Sequence, residues 1–226
     1  MLDDGTTWNF LNAGNCATKG PYWASYPFHG TYTTNGNNIS GLGKFYNFIY
    51  STASQYALSG TVSAKNTLDI TMTNTDPDHS TDISTFTANY INSYDQPASL
   101  TSLSSGKYID HSALNFIADK EIGPDYYFVT TADMSVVTIS GSTVSIAPNI
   151  NGCSASGTIA PHVTAHGTVG VFDLNLTFSG NCQLGDGTTL KGVLLQDTST
   201  AYNYAIHLLA FTPDNSKGYY NYSAKD

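Results

Sequence analysis

Residues 171–178, with the sequence VFDLNLTF, decide the fold class. Every second residue is large and apolar, and the residues between them are polar. The apolar set is Phe172, Leu174, Leu176 and Phe178, and the polar set is Asp173, Asn175 and Thr177. Because successive side chains of a strand point to opposite faces, this alternation predicts a β-strand with one buried and one solvated face.

The same alternation, bounded by Gly, Asn, Asp and Pro, recurs through the second half of the chain. Gly141-Ser142 separates two such segments, and a two-residue loop with Gly first suits a type II′ hairpin turn. The predicted strands are 107–110, 136–140, 143–147, 152–160, 171–179, 190–196, 202–211 and 218–222. We therefore predict an eight-stranded up-and-down barrel in this half.

The first half repeats the pattern with looser spacing, which predicts strands at 30–34, 44–50, 56–63, 67–73 and 84–91. Some residues also match between the halves. SGTV at 59–62 precedes LDITMT at 68–73, as SGTI at 156–159 precedes FDLNLT at 172–177, and Gly30-Thr31-Tyr32 is like Gly106-Lys107-Tyr108. We interpret these matches as a tandem duplication, with chance similarity between two Ser- and Thr-rich sheets as the alternative.

A domain boundary is expected near Asp95-Gln96-Pro97, because Pro97 restricts the residue before it. A single helical turn is expected at 98–104, after which strands resume. We divide the chain into an N-terminal tail at 1–21, a first β domain at 22–95 and a second β domain at 96–226. Both domains are all-β and antiparallel, in a meander that is barrel-like or sandwich-like.

Composition supports this fold class and excludes some functions. Asp, Glu, Lys and Arg make up only 11% of the 226 residues, whereas Tyr contributes 16 and Phe 10. The basic residues are all Lys, they are scattered, and the net charge is −9, so a nucleic-acid partner is not expected. No apolar run has the roughly 18 residues needed to cross a bilayer as a helix.

Cys153 and Cys182 fall at the outer ends of two strands that should be neighbours in the second domain. We predict a disulfide between them, which in an exported protein would contribute ~3 kcal/mol of stability. Two buried free thiols are the alternative. Cys16 is left over, as a tail residue, a reactive thiol or an intermolecular link.

Four short motifs carry a family resemblance: YDQPASL at 94–100, GKY at 106–108, GCSASGT at 152–158 and NC at 181–182. The chain resembles an uncharacterised family of proteobacterial cell-envelope lipoproteins with two tandem β domains. The resemblance covers residues 28–226 and implies export to the periplasm or the outer-membrane surface, with a lipid anchor in the natural precursor. Cys16 does not follow a signal sequence here, which departs from the family pattern, and no catalytic residue is implied.

Two groups of residues suggest metal binding, and neither has the expected spacing. Asp76, Asp78 and Asp82 could hold Ca²⁺ weakly, but a solvated turn explains them better. His162 and His166 are four residues apart, but they lie between Pro161 and Gly167, where we expect a hairpin turn with exposed histidines. We expect no metal ion and no cofactor.

Candidates for catalysis and binding are few. Glu121 and Asp125 are the one carboxylate pair worth testing for hydrolysis, and no nucleophile motif occurs. Aromatic clusters suggest ligand contacts, for which the candidates are Trp23, Tyr26, Tyr126 and Tyr127. We therefore expect a monomeric, non-enzymatic envelope or surface protein that binds an envelope or host protein or another ligand. A carbohydrate-binding module is the first alternative, and a small hydrolase is the second.

Overall fold

The computed structural model describes residues 6–12, 25–48, 52–76, 82–90, 92–101, 103, 106–118, 136–147, 152–165, 167–197 and 205–225. The chain forms two compact units, one of Met1–Asn47 with Thr52–Tyr94 and one of Phe48–Ser51 with Asp95–Asp226. Among the described residues, helical structure is confined to a 3-10 helix at Asn92–Asp95. The prediction of an all-β, antiparallel chain is confirmed.

The first unit is a six-stranded antiparallel meander in which each strand pairs with the next along the chain. Its strands are β1 (Thr6–Asn12), β2 (Ser25–Asn35), β3 (Asn38–Asn47), β4 (Thr52–Ser63), β5 (Thr67–Asn74) and β6 (Ile83–Asn89). Phe28, Leu58, Ile70 and Met72 form its buried core, which lies on one face of the sheet. β1 lies within the segment that we expected to be a tail, and it pairs with β2 along its whole length.

The second unit is the predicted closed barrel of eight antiparallel strands, in which the last strand pairs with the first. Its strands are β7 (Gly106–Ile117), β8 (Val136–Ser140), β9 (Thr143–Ile146), β10 (Cys153–Thr164), β11 (Gly167–Gly180), β12 (Thr189–Asp197), β13 (Ala205–Phe211) and β14 (Lys217–Lys225). Gly141 has a φ of +57° and Ser142 does not have a positive φ, which fits the type II′ turn between β8 and β9.

Side chains fill the interior of the barrel. The alternating apolar residues of β11 are buried there as predicted, with Leu174 and Leu176 at 1% and 0% exposure. Three side chains of β14 form a row of hydrogen bonds within the same core. The Ser223 hydroxyl donates to the Asn221 side chain at 2.6 Å, and the Asn221 amide donates to the Tyr219 hydroxyl at 3.2 Å. These hydrogen bonds offset the cost of burying polar groups.

The disulfide between Cys153 and Cys182 is present, with the two Cα atoms 4.6 Å apart. Cys153 begins β10, and Cys182 lies two residues after the end of β11, so the bond ties the outer ends of neighbouring strands. It closes a loop of 29 residues. A loop of this size restricts the unfolded chain by about 3 to 4 kcal/mol in the loop-entropy description.

The two units share a strand register. One row of hydroxyl-bearing residues crosses each sheet, and the two rows correspond strand by strand. In the first unit the row is Thr33, Ser40, Ser59, Thr71 and Thr85, and in the barrel it is Thr138, Ser145, Ser156, Thr177 and Thr189. Strands β2 to β6 therefore correspond to β8 to β12.

Two local features support this correspondence. The Val62 amide donates to the Asn37 carbonyl at 2.8 Å, and the Ile159 amide donates in the same way to the Ser142 carbonyl at 2.9 Å. A Cβ on Gly60 would lie 2.0 Å from a backbone oxygen of β5, and one on Gly157 would lie 1.8 Å from a backbone oxygen of β11. Each glycine is therefore required by the close approach of the neighbouring strand.

The register corrects part of the proposed sequence alignment. Ser59 pairs with Thr71, and Ser156 pairs with Thr177, so Leu68 corresponds to Leu174 and not to Phe172. The match of Gly30 to Gly106 is also wrong, because β2 corresponds to β8 and not to β7. Short Gly- and Thr-rich strings can match at several offsets, whereas strand pairing admits one register.

Candidate functional site

A cavity of about 340 Å³ lies at one end of the first unit. Its walls come from strands β2 to β6, from the turn between β4 and β5 and from residues that follow β6. The apolar lining consists of Tyr32, Ile39, Val62, Leu68, Ala88, Tyr90 and Tyr94. All of these residues belong to the first unit. Cavities of this size and character are typical of small-molecule sites.

The tight turn between β4 and β5 sets the edge of the cavity. The Asn66 amide donates to the Ser63 carbonyl at 2.9 Å, and Lys65 adopts a left-handed conformation with a φ of +55°. The Asn66 carbonyl then accepts a hydrogen bond from the Tyr90 amide at 2.8 Å. This bond fixes the backbone at Tyr90 beside the turn, where the tyrosine lines the cavity.

The rim of the cavity is polar. Lys65, Asn66 and Asn89 are exposed residues that line it, and they offer an ammonium group and two amides. Amide groups both donate and accept hydrogen bonds, whereas an ammonium group attracts anions. The arrangement therefore suits a ligand with an apolar body and a polar or anionic edge.

The corresponding end of the barrel is filled. The positions that match Tyr32, Ile39, Val62, Leu68 and Tyr90 are Val137, Val144, Ile159, Leu174 and Leu194, which all lie in the barrel core. Leu103, which precedes β7, is completely buried in the same core. The Ala98 amide donates a hydrogen bond to the Val169 carbonyl at 3.0 Å, and the Leu103 amide donates one to the Ser99 carbonyl at 2.8 Å. The expected helical turn at 98–104 is thus a single hydrogen-bonded turn that closes this end.

The filled end of the barrel and the open end of the first unit differ in the length of one hairpin. In the first unit, β4 and β5 are joined directly after the pair Ser63 and Thr67. In the barrel, β10 and β11 continue beyond the corresponding pair, Ala160 and Asp173, through residues 161–172. The longer hairpin supplies the Val169 carbonyl that holds residues 98–103. The cavity of the first unit lies at the end where its hairpin is the shorter one.

The predicted ligand-contact aromatics cannot be compared with this cavity, because none of their side chains is among the described residues. Tyr26 lies in β2 opposite Leu11, and its side chain lies outside the described residues, as do Trp23, Tyr126 and Tyr127. Tyr32, Tyr90 and Tyr94 were not predicted as a group. The alternation Ser84, Phe86, Ala88 continues to Tyr90 and could have indicated its face, but the cavity also depends on the β4–β5 turn.

The described residues on either side of the candidate calcium loop are joined by hydrogen bonds at Asn74. The Asp76 amide donates to the Asn74 side chain at 2.9 Å, and the Asn74 amide donates to the Asp82 carbonyl at 2.9 Å. Burial, and after it the charge of Asp82, raises the pKa of Tyr56, while a hydrogen bond with Asn74 lowers it. Asp78 lies outside the described residues, and among those described no group of three His, Cys, Asp or Glu side chains could hold a metal ion.

The prediction of an exposed turn at His162 is wrong. β10 extends to Thr164, and a bulge between Pro161 and Val163 turns the His162 ring toward β11. The ring is buried, and its Nδ1 lies 2.7 Å from the Asp173 carboxylate. His166 lies outside the described residues, as do Glu121 and Asp125, the candidate hydrolytic pair.

Comparisons with protein-family models, curated proteins and solved structures find no match to this chain. No helix among the described residues is long and apolar enough to span a membrane.

Proposed function

We propose that the chain is a non-enzymatic protein of the cell envelope or cell surface that binds a small ligand in the cavity of its first unit. One observation carries the proposal: of two sheets with the same register, one has a filled end and the other has an aromatic cavity of about 340 Å³. The apolar lining of this cavity is accessible to solvent, and an accessible apolar groove with a polar rim is typical of a binding site.

The disulfide supports the proposed location. Disulfides persist in oxidising compartments such as the periplasm and the cell exterior and are rare in the cytosol. The Cys153–Cys182 bond therefore fits the export implied by the family resemblance. A lipid anchor in the natural precursor is part of this proposal, and mass spectrometry of membrane fractions from the native host would test it.

The ligand class follows from the walls and the rim of the cavity. Tyrosine rings offer flat apolar faces, and the Lys65 ammonium attracts negative charge at the edge. A suitable probe is the anionic aromatic dye 1-anilinonaphthalene-8-sulfonate. We expect it to bind the folded chain at one site per molecule, with a saturable rise in fluorescence.

A matched pair of variants tests whether the dye occupies this cavity. Ala88→Phe fills the cavity, whereas Ala57→Phe makes the same change on the other face of the sheet, away from the cavity. We expect Ala88→Phe to weaken dye binding at least about tenfold, which is 1.4 kcal/mol, and Ala57→Phe to leave it unchanged. Equal affinity in the two variants, or no saturable binding to the unaltered chain, would contradict the proposal.

Carbohydrate binding is the second candidate for this site. It is favoured by the combination of tyrosine rings with the rim amides of Asn66 and Asn89, because sugars stack their apolar faces on aromatic rings and bond through their hydroxyls. A glycan array would show a signal that Tyr90→Ala removes. An array without a signal would exclude this candidate and leave the dye result intact.

A further inference from the structure

The outer edge of β6 is the feature that the ligand cavity leaves unexplained. β6 is the last strand of the first sheet, and no strand among the described residues pairs with its second edge. In the barrel, the corresponding strand β12 is covered at that edge by β13, in an antiparallel pairing that includes Lys191 with Phe211 and Val193 with Leu209. The same sheet position is thus occupied in the barrel and is open in the first unit as far as the described residues go.

Hydrogen bonds at the two ends of β6 show which backbone groups point outward. The Tyr90 amide donates to the Asn66 carbonyl, and the Asp82 carbonyl accepts from the Asn74 amide, so both residues direct their backbone groups toward β5. Alternate residues of an antiparallel strand share one direction. Ser84, Phe86 and Ala88 therefore bond to β5, whereas Ile83, Thr85 and Thr87 direct their N–H and C=O groups to the open edge.

This edge lacks the features that usually protect an edge strand. The sequence of β6, ISTFTAN, contains no charge, no proline and no glycine, and its pairing with β5 has no bulge. Ile83 is 61% exposed, and Ser84, Thr85 and Thr87 are also exposed. Natural proteins usually blunt such edges with Lys, Pro or bulges because an open edge is a template for another strand.

We propose that the open edge of β6 receives an extended strand from a partner protein, which adds a seventh strand to the first sheet. The chemistry of β6 defines the partner segment. Phe86 and Ala88 lie on the core-facing side and Thr85 and Thr87 on the other, so the segment alternates apolar with hydroxyl-bearing residues. Asp82 directly precedes β6, and Asp69 of β5 pairs with Thr87 near the other end of β6, so the negative charge nearby favours basic residues at the ends of the segment.

A designed peptide, KTVTVTVTK with blocked termini, serves as the probe because it has this alternation and these ends. Hydrogen exchange of the full chain reports the outward amides of Ile83, Thr85 and Thr87 directly. We expect a dissociation constant below about 1 mM. At a peptide concentration ten times that constant, exchange at these amides should slow roughly tenfold. A control peptide of the same sequence has its backbone nitrogens methylated along both edges. It should have no effect, because neither edge can donate the hydrogen bonds that continue the sheet.

Two variants at one position separate the backbone from the side chain. Thr85→Pro removes an outward N–H without removing a bond to β5, and Thr85→Val keeps the N–H. We expect Thr85→Pro to abolish peptide binding and Thr85→Val to retain it. Dye binding in the cavity should persist in both variants, and its persistence shows that each one folds.

Three results would overturn the proposal. These are slow exchange of the outward amides in the chain alone, peptide binding that survives Thr85→Pro, and no protection by the peptide at about 1 mM. Light scattering is run on the same samples. A dimer that Thr85→Pro dissociates would show that a second copy occupies the edge, and would also overturn the assignment to a partner protein.

Discussion

The two units of this chain share one strand register but differ in whether the sheet closes and whether its end is filled. Five strands correspond in order, with the same hydroxyl row and the same required glycine, at Gly60 in one unit and Gly157 in the other. The barrel adds β13 and β14, a longer β10–β11 hairpin and a buried Leu103. The first unit has a short turn, an open sheet and a cavity.

The barrel is closed and its core is filled, whereas the open sheet of the first unit is where we propose that recognition occurs. A closed barrel has no free edge and a filled core, so little of its backbone or core remains to bind a ligand. An open sheet leaves an edge and an unfilled end, which cost stability and permit binding. Three predictions test this contrast, in decreasing order of expected effect.

Leu103→Ala should have the largest effect, because it removes the side chain that fills the barrel end. We expect a loss of about 3 kcal/mol in the unfolding free energy of the second unit, from lost burial and a new cavity. Urea denaturation followed by hydrogen exchange of β10 and β11 would measure it. Leu42→Ala in the first unit, at a side chain that is 53% exposed, is the control and should cost under about 0.5 kcal/mol. Similar losses in both variants would mean that Leu103 does not close the barrel.

Gly157→Ala and Gly60→Ala place the same methyl group against corresponding backbone oxygens, at Asn175 and Asp69. We expect about 2 kcal/mol of destabilisation in the barrel and about 1 kcal/mol in the open sheet, because strands of an open sheet can move apart. Hydrogen exchange of β4 and of β10 would compare the two losses. Thr61→Ala and Thr158→Ala, at the exposed neighbouring residues, are the controls. A larger loss in the first unit would reverse our account of which sheet is more rigid.

Asp214 should give the smallest effect, in the turn between β13 and β14. Hydrogen bonds from the Thr212 hydroxyl, and then from the Ser216 amide and hydroxyl, lower its pKa to about 2. A lowered folded pKa stabilises the fold above the unfolded value of about 3.9, and this stabilisation is lost as the pH falls through about 2.

The measurement is an NMR titration of the Asp214 carboxyl together with melting of Asp214→Asn. The variant should melt slightly below the unaltered chain at pH 6, and the difference should shrink as the pH falls from about 4 to about 2. By comparison, the turn at Asn66 in the first unit is held by backbone hydrogen bonds, from the Asn66 amide to the Ser63 carbonyl and from the Tyr90 amide to the Asn66 carbonyl. A titration midpoint for Asp214 near 4 would contradict the hydrogen-bonding pattern.

Much of the fold could be predicted from local pattern. Alternation located every strand of the barrel, although β10 and β7 continue well beyond the predicted ends. Periodicity does not report where a strand stops when polar residues such as His162 continue it through a bulge. The start of β3 was missed for a related reason, since Gly41 and Gly43 interrupt its apolar alternation.

The candidate site was much harder to predict than the fold. Tyr32, Lys65 and Tyr90 are separated in the sequence, and none belongs to a recognisable motif. They meet because β2, β4 and β6 belong to one sheet and because the Asn66 carbonyl accepts a hydrogen bond from the Tyr90 amide. The predicted aromatics were chosen as dense clusters, and density in sequence does not specify which face a ring occupies.

The sequence by itself determined the strand class, the eight strands of the second half and the pairing of Cys153 with Cys182, because each depends on local periodicity and on neighbours along the chain. Only the tertiary structure decided that one sheet closes and the other stays open with a cavity. Closure depends on contacts between distant segments, such as Ala98 with Val169 and β14 with β7, and local pattern carries no information about such contacts.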